Sequence, residues 1–163
     1  MGERGERGLY VTLSETVEEL TAAAESHGWS LDGITIVELS AVQSAESDEA
    51  YTLFHPAEVE LQQAVDAVLA QVEAHEPSRV VFDSLSEMRM LARDPLRFRR
   101  QILALKQYFV GRACTVLLLD DRTHPSGDLQ VQSLAHGVIM LEHVAMEYGA
   151  ERRRLQVMKL RGV

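Results

Sequence analysis

The stretch RVVFDSLSEM, residues 79–88, ends an apolar run on a carboxylate, Asp83, and follows it with the hydroxyls of Ser84 and Ser86. A strand that closes on an acid can hold a hydrated magnesium ion beside a nucleotide's phosphates, because Mg²⁺ takes oxygen ligands and keeps several of its waters. An aspartate just ahead of a helix can equally accept the helix's first amides as an N-cap. Both readings stand on this stretch alone. The usual companion of the magnesium reading is the phosphate loop G-x-x-x-x-G-K-[ST], whose amides and lysine cradle the phosphates. That loop is absent from the sequence: the two lysines, Lys106 and Lys159, follow Leu105 and Met158 and no glycine.

Other constellations offer less chemistry. His124, His136 and His143 lack the spacing of a helical zinc pair, and neither H-E-x-x-H nor C-x-x-C occurs. Ser84 and Ser86 do not form G-x-S-x-G, so a hydrolase elbow is not supported. Asp120 and Asp121 close another apolar run, CTVLLLD. They read as solvated strand-end acids; next to a phosphate they would repel it unless magnesium or an arginine intervened.

These groups need a sheet to hold them, and the chain alternates strand and helix signals. GLYVTL and ITIVEL (residues 34–39) read as strands; between them Thr16 and Glu19 form a capping box that opens a helix ending at Gly28. An acidic loop over 40–55 leads to a helix begun by Pro56, with Val59, Ala64, Val68 and Val72 at helical spacing. After the strand 79–83 come a short helix from Ser86 and a longer one opened by Asp94 and Pro95, which turns Leu96, Ile102, Leu103, Leu105 and Phe109 inward and closes at Gly111. A fourth strand over CTVLLLD, a short helix over 129–135 and a hairpin of GVIMLEHV with RRLQVMKL, turned at EYGA, complete the series. Strands separated by helices imply parallel crossovers, so the class is α/β with a mostly parallel sheet. Ligands of such sheets sit beyond the carboxyl ends of the strands, which puts Asp83 at the functional edge.

Composition bounds the setting. The 163 residues, 46% hydrophobic and without a Pro/Gly/Ser-rich linker, are read as one domain. No apolar run exceeds seven residues, the chain opens MGERGERG without a leader pattern, and its single cysteine, Cys114, lies in an apolar run. No membrane span and a reducing cytoplasm are the expectation. The net charge of −9 divides into −14 over residues 1–78 and +5 over 79–163. Opposite halves are compatible with a head-to-tail partner and at least as well with solvated helix faces that happen to differ. A nucleic-acid partner is disfavoured: aromatics are 6% of the chain and do not interleave with its basic residues.

In order and spacing, GERGLYVTLSETVEEL, PSRVVFDSLSEM, LKQYFVGRACTVLLLDD, LAHGVIML and RRRLQVMKLRG resemble the RecA-like ATPase domain of KaiC and its relatives. The resemblance spans nearly the whole chain. It implies a RecA-like, mostly parallel sheet flanked by helices with a C-terminal antiparallel hairpin. It also implies ATP and magnesium held between subunits of a hexameric ring. Residues 1–163 then form a single partial domain that begins after the phosphate loop and stops before the family's C-terminal end. Asp83 matches the Walker B aspartate, with Ser84 beside it on the nucleotide side. The family usually ends the strand after its phosphate-loop helix with two adjacent acids, and that pair reads Ser14-Glu15 here. Glu15 matches the second acid, which orients water or metal, while Ser14 replaces the suggested general base and cannot itself accept a proton near neutral pH. The terminal KLRG matches an element that reaches towards a neighbour's phosphates, making Lys159 and Arg161 catalytic candidates in trans. The full protein is then an ATPase, open to phosphotransfer or clock-type regulation, and the present chain alone is expected to hold no nucleotide. A nucleotide-free regulatory or scaffold domain of the same fold is the alternative; a recombinase-type relative is a second.

Overall fold

The computed structural model describes residues 5–39, 56–121, 129–145 and 148–162. They fall into two units, one running to Thr123 and one from His124 onward. The acidic loop expected over 40–55 lies outside the described residues.

The first unit is built on β1 (Gly8–Thr12), β2 (Ile34–Glu38), β3 (Arg79–Asp83) and β4 (Thr115–Leu118), all parallel, in the order β2-β1-β3-β4. Between β1 and β2 runs α1 (Val17–Ser26), opened as expected by a capping box in which Thr16 and Glu19 satisfy each other's backbone amides. Gly28 closes it at φ +69°, a conformation only glycine takes without cost. The helix α2 (Pro56–His75) leads into β3. From β3 the chain passes through α3 (Leu85–Ala92) and α4 (Pro95–Phe109) to β4.

Because β1 to β2 steps one way across the sheet and the later crossovers step the other, right-handed connections put α1 on one face and α2, α3 and α4 on the opposite face. On the second face Leu9 and Val11 of β1 lie in register with Val80 and Phe82 of β3, all buried. Ala64, Val65, Val68 and Val72 of α2 and Leu85, Met88 and Ala92 of α3 complete this core. The expected inward residues Ala64, Val68 and Val72 are confirmed, while the Val59 side chain lies outside the described residues. The expected inward face of α4 is corrected: Leu96 is 70% exposed, Leu103 and Phe109 are half-buried, and the buried stripe is Phe98, Ile102 and Leu105. Leu96 sits in the first turn, where its amide bonds the Asp94 N-cap at 2.8 Å. The stripe one turn on keeps i, i+4, i+7 spacing against the core.

The other face carries Tyr10, Val81 and Leu117, aligned across β1, β3 and β4. It is more open, with Leu117 51% exposed.

The second unit holds a short helix α5 (Leu129–Leu134) and the antiparallel ribbon of β5 (Gly137–Val144) and β6 (Arg152–Leu160). The ribbon pairs Ile139 with Val157 and Leu141 with Leu155 across the strands, and a bulge sits between Val138 and Ile139. Across the same ribbon Glu142 accepts from the Arg154 guanidinium, an opposite-charge pair that supports the register. The fold class expected from the sequence, a mostly parallel sheet flanked by helices with a C-terminal antiparallel hairpin, is the one observed. No helix among the described residues is long and apolar enough to cross a membrane.

Candidate functional site

The carboxyl ends of β1 and β3 lie side by side, because Thr12 and Asp83 are register partners. Asp83 does not cap a helix. The N-cap of α3 is Ser84, which makes no side-chain capping bond, and its hydroxyl contacts that of Ser86 instead. The Asp83–Ser84 peptide is cis. The Asp83 side chain is half-buried, and its Oδ2 accepts a hydrogen bond from the Tyr10 hydroxyl. Burial, first, and then the bond to Asp83 and the charges of Asp83 and Glu15 push the Tyr10 phenol well above its ordinary pKa. Tyr10 therefore stays a donor. Among the described residues no other side chain bonds to Asp83, and none donates to its Oδ1.

Glu15 is held from below by Thr12. The Thr12 hydroxyl donates to the Glu15 carbonyl at 2.9 Å and accepts the Glu15 amide at 2.9 Å. Thr12 is 1% exposed, whereas Ser14 and Glu15 point into solvent. Leu13 donates its amide to the Asp83 carbonyl at 2.8 Å, which ties the two strand ends together. Glu38, ending β2, accepts the first amide of α1, Val17.

The strand-end acid Asp120, read from sequence with Asp121 as solvated, has a partner in the structure. Asp120 is gripped by Arg89 of α3 in a two-bond fork, at 3.2 and 2.9 Å, and that guanidinium lies 4.9 Å from the centre of the Phe98 ring. The pair is partly shielded from water, and the planar fork suits a guanidinium where a lysine would not. An arginine does intervene at this acid. Leu85, opening α3, donates its amide to the Leu119 carbonyl at 2.8 Å, which keeps α3 and the end of β4 together.

Lys159 and Arg161 belong to the second unit, and both reach the carboxyl end of α5. The Lys159 ammonium donates to the carbonyls of Gln132 and Ser133 at 2.8 and 3.1 Å, and Arg161 donates to that of Ser133 at 3.2 Å. The last carbonyls of a helix have no partner within it, so cations there are favourably placed. The two candidates are thus brought together, as are Asp83, Ser84 and the Thr12–Glu15 turn in the first unit.

Sequence reasoning missed Tyr10, Thr12 and Arg89. Period-two alternation puts Tyr10 and Thr12 on one face of β1, but their partners become visible only once β1 and β3 are aligned. The Arg89–Asp120 fork bridges 31 positions and has no local signal.

A parallel sheet flanked by helices, a carboxylate at the end of an inner strand and a C-terminal antiparallel hairpin together make a RecA-like α/β fold. The family model described as "ATPase: KaiC" matches residues 1–163, and the chain belongs to that family. Among solved structures it is similar to a KaiC-like protein from the hyperthermophilic archaeon Pyrococcus horikoshii OT3. The TM-score is 0.73 and the identity 21%, covering 99% of this chain and 68% of that one. That likeness establishes the fold. No curated protein matches the chain.

Proposed function

We propose that this chain forms, with a phosphate loop supplied from upstream, an ATPase site in which Asp83 holds the magnesium of a bound nucleotide. The observation that carries the reading is Asp83 itself: it ends an inner strand, does not cap the helix that follows, and has one oxygen engaged by Tyr10 and the other without a donor among the described residues. The donor set fits a hard cation, a carboxylate with hydroxyls beside it. No group of three or more His, Cys, Asp or Glu able to hold a metal exists among the described residues. Magnesium suits such a place, because it is usually bound through one or two carboxylates, with waters and substrate phosphates completing its shell. When bound, Mg-ATP supplies an activated phosphoryl group whose charge the ion partly neutralises.

The chain's own residues then have separate tasks. Asp83, with Ser84 adjacent, orients the ion's waters. Glu15, fixed through its backbone by Thr12, orients water from the neighbouring strand end, while Ser14 takes no proton. Arg89 neutralises Asp120 and so removes a repulsion from the edge where phosphates would lie. Lys159 and Arg161 serve a neighbouring subunit's phosphates in a ring. The half-exposed Val81, Leu117 and Leu119 support an upstream helix over the open face, since parallel sheets are covered on both faces. Ser14 favours a second reading, a nucleotide-free scaffold that keeps the fold and the ring contacts.

Calorimetry and mutation separate the two. This chain alone, without loop amides and lysine, shows no dissociation constant for MgATP near or below ~10 µM, about −7 kcal/mol; tighter binding would place the site elsewhere. With the upstream segment restored, Asp83→Ala abolishes magnesium-dependent hydrolysis and Ser14→Ala changes it little. Hydrolysis that survives Asp83→Ala overturns the assignment, and a parent that binds no ATP supports the scaffold.

A further inference from the structure

We propose that Tyr10 is a positioning residue for Asp83, fixing the carboxylate so that Oδ1 alone is presented to a divalent cation. The inference rests on the reading of Asp83 as the magnesium carboxylate. Tyr10 lies on β1 two residues before Thr12, the register partner of Asp83, and its phenol spans that offset along the sheet to reach Oδ2. A carboxylate rotates easily about its last bond, with two equivalent oxygens. One charge-assisted hydrogen bond removes that freedom and decides which oxygen is left over.

Packing does not account for the hydroxyl. Tyr10 aligns with Val81 and Leu117 on the open face, where a phenyl ring would serve as well. Nor does a second group share the task, because no cationic side chain among the described residues pairs with Asp83. Among the described residues the orientation of the acid therefore depends on a single side-chain donor, the Tyr10 hydroxyl.

The test uses Mn²⁺ as a paramagnetic probe in amide-resolved NMR spectra of the chain, reversed by excess Mg²⁺. The native chain shows broadening centred on Asp83, Ser84 and their strand-end neighbours. Asp83→Asn abolishes it, which tests the magnesium reading. Tyr10→Phe keeps the dispersed spectrum but weakens the apparent affinity about tenfold, at the low end for a group that orients a metal ligand. Should Y10F lose the fold, Y10M, which also lacks the donor but flexes to fill the space, is read in the same way. If Asp83→Asn abolishes broadening and the Tyr10 variant binds as the native chain does, the positioning role is overturned and the magnesium reading stands. If broadening is absent in the native chain, or survives Asp83→Asn, the magnesium reading fails and Tyr10's role falls with it.

Discussion

Thr12 is the buried polar side chain of the described core, and its hydroxyl is spent in both directions on the backbone of Glu15. Replacing it by valine keeps the shape but leaves an amide and a carbonyl short of partners. Thr12→Val is expected to cost about 1–3 kcal/mol, measured by urea unfolding, while Thr12→Ser recovers most of it. Arg89 makes a comparable case, since its loss leaves Asp120 without its fork at a partly shielded place. A double-mutant cycle between Arg89→Met and Asp120→Asn should show a coupling energy of about 0.5–3 kcal/mol; additive effects would mean the fork is idle. These residues share a property that hid them from the sequence. Asp83 could be singled out as a candidate because an apolar run that stops on an acid is a local pattern. Tyr10, 73 positions from Asp83, carried only the message of a strand residue until the register was known.

At the scale of elements, local chemistry was readable wherever it closes on itself. Thr16 with Glu19, Asp94 with Pro95, and Gly28 each mark a helix end from within a few residues, and each mark held. Facing was harder: the side of α4 that turns inward depends on the core beneath it, so Phe98 and not Leu96 was chosen. The capping box also gives a pH prediction. The Thr16 amide, and then its hydroxyl, hold the Glu19 carboxyl below the usual carboxylate range. A carboxyl whose folded pKa is depressed adds stability above its unfolded value and loses it as pH falls through the folded one. Thr16→Ala should lower Tm by about 2–4 °C near neutral pH. The difference between Glu19→Gln and the native chain, followed by thermal melts, should close as pH drops below about 4. A gap that stays constant to pH 2.5 would show that the carboxylate's charge is not what the cap uses.

At the scale of the whole molecule, the chain divides into an acidic stretch, −14 over residues 1–78, and a basic one, +5 over 79–163. Lys159 and Arg161 lie at the basic end. Arg161 spends one donor on the Ser133 carbonyl, which leaves most of its five-donor fork for an anion. The helix-end contact it makes is exposed, so Arg161→Ala should cost no more than about 1 kcal/mol and shift Tm by only a few degrees. If the guanidinium serves a neighbouring subunit, the same change in the loop-containing parent should cut ATP hydrolysis by up to ~10³. Mixing tests whose site it serves. A ring combining Arg161→Ala subunits with phosphate-loop mutants contains some interfaces where an intact loop faces an intact arginine, and activity should return. If the arginine serves its own subunit's site, every site in the mixed ring lacks one part or the other. Activity then stays absent at all mixing ratios, and the assignment in trans is lost.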